Sequence, residues 1–212
     1  MTEALFARRS VTLAGAAVFG SLAALSTVII PASIQLAFPI MPFLKFDPAE
    51  IFSVLAFLIF GPVAAIITAI VHWLFLTLTL SGSSPLGPSV KFASVLSTVF
   101  GLWLGSHLYK RIAGGRPRIS LLGSMLVFAI LARVGLLLVV NYCVFTFFYY
   151  YYSPIPFTWE LLTATLFYTS IFNGLHAIFS VIVPYAIFMP LSLKIPEIAS
   201  GHPWISRFAS KQ

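Results

Sequence analysis

The chain has 212 residues, of which 60% are hydrophobic and only 8% are charged. A soluble globular domain carries about a quarter charged residues, so this composition excludes one, and it equally excludes a disordered, collagen-like or coiled-coil chain. The single cysteine, Cys143, excludes an intrachain disulfide scaffold. The remaining class is an all-α membrane protein, and 212 residues allow about six spans of about 20 residues with short loops.

The net charge of +7 is concentrated outside the apolar runs. Three basic clusters account for most of it: Arg8 and Arg9, the loop 110–118, and a tail containing Lys194, Arg207 and Lys211. Basic clusters of this kind mark the cytoplasmic ends of membrane helices. We therefore expect both termini in the cytoplasm and no nucleic-acid partner.

Apolar runs and Gly/Pro breaks predict a compact bundle of six helices in a single domain covering residues 1–212. The decisive position is Gly61-Pro62, which interrupts a long apolar stretch. One crossing there would leave the loop 110–118 outside, against the positive-inside rule, whereas two crossings place all three basic clusters inside. The predicted helices are 11–31, 48–60, 62–80, 89–109, 119–148 and 158–190, with an aromatic-proline loop at 149–156.

Few acidic residues occur near the spans. Asp47 and Glu50 precede helix two, and Glu160 begins helix six. Because carboxylates are stabilised at the positive end of a helix dipole, all three are first interpreted as N-terminal helix charges.

Polar side chains inside the predicted spans are more informative, because they are costly in hydrocarbon and usually face a partner, a cavity or a ligand. Asn141 and Arg133 fall on helix five, and Asn173 and His176 share one face of helix six. Asn141, Asn173 and His176 could meet in an outward-facing cavity for a neutral, planar, hydrogen-bonding ligand, or each could make an interhelical hydrogen bond. The sequence leaves the role of Arg133 open.

Helix one carries small residues at Ala16, Gly20 and Ala24, spaced four apart. Such a stripe lets another helix approach closely. It is either packed inside the bundle or exposed for a partner, and periodicity does not choose between them.

Motifs for other chemistries are missing from the sequence. It contains no phosphate-binding loop, no Gly-x-Ser-x-Gly elbow and no His-Glu-x-x-His pair. The four histidines lack metal-ligand spacing, so no metal site and no catalytic residues are predicted.

Five segments, taken in chain order, resemble the substrate-binding S components of energy-coupling-factor (ECF) vitamin transporters, and most closely their riboflavin-specific branch. They are the stripe of Ala16, Gly20 and Ala24, the Leu44–Asp47 stretch entering helix two, the Gly61-Pro62 break, Asn141-Tyr142, and Phe172-Asn173. Two positions depart from that branch: His176 stands where a lysine is usual, and Val90-Lys91-Phe92 stands where Gly-Asn-Phe is frequent.

The resemblance implies a vitamin-binding subunit of the plasma (cytoplasmic) membrane, not an enzyme, with riboflavin as transported ligand and no cofactor. A coupling transmembrane subunit and two ATPase subunits would be its partners, docked through Ala16, Gly20 and Ala24. The loop that holds Lys45 and Asp47 would close over the vitamin. The implied substrate-binding residues are Lys45, Asp47, Lys91, Asn141, Tyr142, Asn173 and His176.

Other classes stay open from the sequence. An S component for a different vitamin or a nucleobase-like compound would share the fold and differ in its pocket. An intramembrane enzyme would need a nucleophile and base that the sequence does not show. A structural membrane protein would need no outward-facing cavity.

Overall fold

A computed structural model describes residues 9–30, 34–80, 84–113, 118–148, 158–195 and 203–208. Six α-helices and a short β-hairpin make up most of these residues. The helices are α1 (Arg9–Ile29), α2 (Glu50–Phe60), α3 (Pro62–Phe75), α4 (Leu86–Ala113), α5 (Arg118–Cys143) and α6 (Trp159–Lys194). Single π-helical segments, Leu76–Leu80 and Val144–Phe148, extend α3 and α5. The basic residues Arg8, Arg116 and Lys211 and the loop 149–156 lie outside the described residues.

Five of these helices are long and apolar enough to cross a membrane, and α2 is shorter. The helices expose many large aliphatic and aromatic side chains, including Leu13, Val63, Leu131 and Phe167. Such a surface suits lipid, which replaces water around a membrane protein and removes the penalty for exposed apolar side chains. The structure therefore supports a helical, multi-pass membrane protein.

The break between α2 and α3 lies where the sequence predicts it. Gly61 has φ +97° and ψ −174°, a backbone conformation that is essentially restricted to glycine. Its N–H donates to the carbonyls of Ala56 and Phe57 and so terminates α2. Pro62 then opens α3, at a position where a helix needs no backbone donor.

A two-stranded antiparallel hairpin, which the sequence analysis did not predict, connects α1 with α2. Its strands are β1 (Ala37–Phe38) and β2 (Met41–Lys45), paired through Ala37 with Lys45 and Phe38 with Met41. The strands are too short for a periodicity-two pattern to show in the sequence. The hairpin brings residues 43–47 over one end of the bundle.

The small-residue stripe of α1 packs inside the bundle at two of its three positions. Ala16 is buried beside Ala56 and Ala64, and its carbonyl accepts a 3.2 Å hydrogen bond from Thr68. A Cβ on Gly20 would lie 2.7 Å from Cβ of Val71. The exposure expected for a docking stripe is therefore wrong for Ala16 and Gly20, because α1 turns them towards α3.

Ala24, the third position of the stripe, is half-buried. Among the small residues that α1 exposes, Ala14, Ala17 and Ser21 lie on the opposite side of the helix from Ala16.

Candidate functional site

A cavity of about 570 Å³ opens at the hairpin end of the bundle. The hairpin, the first turn of α2, the start of α4, the end of α5 and the middle of α6 all contribute to its wall. Six of the seven side chains that the resemblance implies line it: Lys45, Asp47, Lys91, Asn141, Asn173 and His176. Leu44, Val90, Leu137 and Phe172 add apolar surface.

Two asparagines line the cavity, and they are the only asparagines in the chain. Asn141 is 8% exposed and Asn173 is 5% exposed. Within the residues that the structure describes, neither amide makes a hydrogen bond to the protein. Neither amide is among the described buried side-chain atoms that lack a partner, so both face the open space of the cavity. Each offers two donors and one acceptor to a ligand there. The sequence left an interhelical hydrogen bond open as an alternative for each asparagine. Asn141 and Asn173 make no such bond to another residue that the structure describes.

Below the amides lies a buried ion pair between α2 and α5. Glu50 is 2% exposed and Arg133 is 1% exposed. The two guanidinium Nη atoms of Arg133 donate to the Glu50 carboxylate at 2.6 and 3.1 Å. Ser180 of α6 adds a 2.9 Å hydrogen bond to the same carboxylate, and Thr98 of α4 lies 3.2 Å from Arg133 Nη1. Four helices therefore meet at this charge pair.

The interpretation of Glu50 as a helix-dipole charge is incomplete. Glu50 does lie in the first turn of α2, but its carboxylate is neutralised by Arg133, 83 residues away in sequence. Burial explains the difference, because a buried charge requires a direct partner and a helix dipole supplies only part of one. This pair also gives Arg133 the role that the sequence left open.

His176 joins the same network. Arg133 Nη2 lies 3.0 Å from His176 Nδ1, and Arg133 can only donate, so Nδ1 accepts and the proton resides on Nε2. Nε2 lies 3.7 Å from Glu50 Oε2 and has no hydrogen-bond partner. His176 therefore makes an interhelical bond, as one of the two alternatives from sequence stated.

A second ion pair lies at the mouth of the cavity. Lys91, at the start of α4, contacts the carboxylate of Asp47, which follows the hairpin. The other carboxylate oxygen of Asp47 accepts a 2.8 Å hydrogen bond from the N–H of Ala49 and so helps to begin α2. The resemblance implies that Lys91 and Asp47 each contact the ligand. In the structure they contact each other.

The residue next to Asp47 attaches the hairpin to α6. The ring of Phe46 lies 5.0 Å from that of Phe172, 5.5 Å from His176 and 6.5 Å from Phe179, measured between centroids. Phe46 thus packs against α6 while Asp47 pairs with α4. Residues 46–47 bridge the two helices across the mouth of the cavity.

Tyr142 is the one expected binding residue that does not line the cavity. It is 42% exposed and lies one position beyond Asn141 on α5. Successive residues of a helix point about 100° apart, and at this position the step turns Tyr142 out of the cavity wall. Sequence reasoning missed Glu50 and Arg133 as cavity residues. Their opposite charges inside an apolar chain are the signal that could have paired them.

Comparison with known proteins gives one informative match. The chain is similar to a solved structure described as the S component of a bacterial ECF transporter, with 25% identity and a TM-score of 0.67. The match covers 88% of this chain and 99% of that one. No family model matches the chain, and no curated protein matches it either. The likeness supports the S-component family, whose members are transporter subunits rather than enzymes.

Proposed function

We propose that this chain is the vitamin-binding subunit of an ECF uptake system, and that its cavity binds riboflavin or a similar planar, uncharged compound. The observation that carries the proposal is the pair of buried amides without protein partners, Asn141 on α5 and Asn173 on α6. An uncharged heterocycle with its own donors and acceptors would satisfy both amides. The rings of Phe172 and Phe145 at the cavity wall would supply stacking surface.

Two of the three lysine and arginine side chains that line the cavity are already paired with a carboxylate, which favours an uncharged ligand. Lys91 is paired with Asp47 and Arg133 with Glu50, so each of these two cations already faces a carboxylate. Recruiting either of them for an anionic ligand would break an existing pair and leave its carboxylate in a poorly solvated place. His176, which replaces the usual lysine of the riboflavin branch, adds no fixed positive charge.

Access to the cavity is proposed to depend on the hairpin. Residues 46–47 hold it between α4 and α6 through Phe46 and Asp47, next to Lys45 at the cavity wall. Releasing these two contacts would open the mouth, and re-forming them over a bound vitamin would close it.

Energy for transport is proposed to come from partners: a coupling transmembrane subunit and two ATPase subunits, in the plasma membrane. The chain itself has no phosphate-binding loop. Because α1 buries Ala16 and Gly20, we propose that docking uses the exposed small residues Ala14, Ala17 and Ser21 of the same helix.

The test is quenching of flavin fluorescence by the purified protein in detergent. Riboflavin is expected to bind, and Asn173→Ala is expected to weaken binding by about 5- to 150-fold, the range for loss of one buried hydrogen bond partner, about 1–3 kcal/mol. Thr163→Ala is the matched control, since Thr163 lies on the exposed face of the same helix. An affinity for riboflavin that Asn173→Ala leaves within twofold would contradict the assignment of the cavity.

Other planar vitamins and nucleobases are tested with the same protein by titration calorimetry, since they have no flavin fluorescence. Binding of one of these compounds, with no quenching of riboflavin fluorescence, would retain the S-component assignment and replace the substrate. Failure of every compound, combined with normal folding, would count against a binding subunit altogether.

A further inference from the structure

The hairpin belongs to a long uncharged stretch of the chain. Residues 10–44 contain no Asp, Glu, Lys, Arg or His, and Arg9 and Lys45 flank them. Helix α1 takes up the first part, because its 21 residues span about 30 Å, the thickness of a hydrocarbon core. The next 15 residues, 30–44, lead into the hairpin and form most of it. A water-exposed segment of that length would carry about four charged side chains, so its composition is not that of a loop in water.

The hairpin and the residues that lead into it have apolar side chains away from the bundle as well as towards it. Phe38 is 6% exposed, and its ring lies 5.7 Å from that of Phe172 on α6. Ile34, Leu36 and Ile40, called here the outer patch, are instead 68%, 73% and 56% exposed. One set of apolar side chains is thus covered by the bundle, and the outer patch is not.

The outer patch continues the exposed apolar surface of α1. Val28 and Ile29, at the end of that helix, are 56% and 64% exposed, as suits side chains that face lipid. The side-chain amide of Gln35 donates a 3.0 Å hydrogen bond to the carbonyl of Ile30 and so keeps the chain close to the end of α1. With Arg9 at one boundary of the hydrocarbon, the end of α1 and the outer patch therefore lie near the opposite boundary.

Helix α6 gives a second measure of depth. The rings of Phe38 and Phe46 contact Phe172, which lies 13 residues after Trp159 and 22 residues before Lys194. If Trp159 marks the near boundary of the hydrocarbon, Phe172 lies about 20 Å inside it. If Lys194 marks the far boundary, Phe172 lies about 33 Å from it, at the near boundary of a core of about 30 Å. Both measures place the hairpin at the boundary or within it.

The backbone of the hairpin also suits surroundings with little water, where N–H and C=O groups need partners inside the protein. Pairing of β1 with β2 supplies such partners, and the N–H of Phe46 donates to the carbonyl of Leu36 at 2.9 Å. Pro39, between the strands, and Pro42, in β2, have no N–H to satisfy. A hairpin therefore suits the membrane boundary better than an irregular loop would.

We infer that the outer patch is a lipid-binding surface, and that it lies where the acyl chains of the membrane meet their headgroups. Its partner is the acyl chains, which take up apolar side chains to a depth of about 5–10 Å at such a boundary. Lipid then holds one side of the hairpin, and Phe172 holds the other. Moving the hairpin into water would expose the outer patch, which is unfavourable, so the hairpin is expected to stay at the membrane boundary when it moves.

The test measures whether a label on the outer patch meets lipid or water. Ile40→Cys is placed in a Cys143→Ser chain, labelled with a nitroxide spin label and reconstituted in phosphatidylcholine nanodiscs, so that both membrane surfaces are open to solution. Electron paramagnetic resonance then gives the collision rate with oxygen, which concentrates in acyl chains, and with a water-soluble nickel chelate. The ratio of the two rates is expected to exceed that of a water-exposed site by about tenfold, equivalent to about 1.4 kcal/mol in favour of lipid.

Two matched sites in the same Cys143→Ser chain calibrate the ratio. Val18→Cys is the lipid standard, since Val18 is 58% exposed near the middle of α1, and Arg207→Cys is the water standard, since Arg207 is exposed at the other end of the bundle. A ratio at Ile40 that lies nearer to Arg207 than to Val18, on a logarithmic scale, would overturn the inference. Leu36→Cys decides the matter if Ile40→Cys does not fold. Riboflavin takes no part in this measurement, so a chain that fails to bind flavin refutes the proposed function and still tests the outer patch.

Discussion

The two ends of α2 are stabilised by opposite chemistry. At its first residue, Glu50 receives hydrogen bonds from Arg133 and Ser180 inside the bundle. At its end, Gly61 lies against the ring of Trp204. The charged end is held by directional bonds that cannot be broken singly without exposing a charge to an apolar interior, whereas the aromatic end is held by packing that tolerates gradual separation. The short helix α2 is therefore held by directional bonds at the cavity and by ring packing at its other end.

The charged end gives the largest expected effect. Arg133→Leu removes one member of the pair and leaves the Glu50 carboxylate buried without its cation. We expect the free energy of unfolding to fall by about 3–5 kcal/mol, measured by denaturant titration in detergent micelles.

The double variant Glu50→Leu/Arg133→Leu is the matched comparison. Replacing both charges by apolar side chains of similar size leaves no unpaired charge, so most of the lost stability should return. A double variant as unstable as Arg133→Leu would show that the pair does not act as a unit. The claim that this ion pair stabilises the first turn of α2 would then be wrong.

The aromatic end gives the next effect. Gly61→Ala forces an alanine into a backbone conformation that costs about 1–3 kcal/mol for residues other than glycine, and its Cβ meets Trp204. We expect a loss of that size in the unfolding free energy. Gly135→Ala is the control, because Gly135 lies within α5 with nothing within 4 Å of its Cβ position. It should be neutral or stabilising by up to about 1 kcal/mol.

Combining Gly61→Ala with Trp204→Ala separates the two causes. Removal of the ring relieves the overlap but not the backbone strain, so the double variant should lose less than the sum of the two single variants. Simple additivity would mean that Trp204 does not press on Gly61, and the packing of residues 203–208 against the end of α2 would then contribute nothing at this position.

The break that creates these two ends could be predicted from the sequence, and the partners at either end could not. Gly61-Pro62 is a local signal, since both residues act on their own backbone. Glu50 was interpreted from its local position, but its partner Arg133 lies on another helix, and no periodicity pairs residues 83 positions apart. The contact between Trp204 and Gly61 likewise depends on tertiary packing, which the local sequence does not show.

The same difference between local signals and tertiary packing decides which cavity residues could be predicted from the sequence. Asn141, Asn173 and His176 stood out because polar side chains are rare in this chain, and the structure places all three at one cavity. The predictions for Tyr142 and for the stripe of Ala16, Gly20 and Ala24 differ from the structure for another reason. Their positions along the helix were clear, but the rotation of each helix about its own axis is set by packing. That rotation turned Tyr142 away from the cavity and Ala16 into the bundle.

The smallest expected effect is at the mouth of the cavity. It tests whether the Lys91–Asp47 pair, near the charged end of α2, can open while the rest of the bundle stays folded. The side chains of the Lys91–Asp47 pair are 21% and 10% exposed, more than those of Glu50 and Arg133, so the pair should contribute less to stability than the buried pair. Asp47→Asn removes the charge while its carbonyl oxygen can still accept from the Ala49 N–H. We expect faster amide hydrogen exchange at residues 41–46 with little change in global stability.

Lys91→Met should reproduce this exchange pattern, because it removes the same pair from the other side, and the two changes together should add nothing further. Lys194→Met, at the far end of α6, is the control for loss of a positive charge. Raising the salt concentration should change exchange in the unaltered protein only slightly, since partly buried pairs are screened much less than exposed ones. If Asp47→Asn and Lys91→Met leave exchange at residues 41–46 unchanged, contacts other than the ion pair hold the hairpin, among them the rings of Phe38 and Phe46 against Phe172. The ion pair would then take no part in opening the cavity.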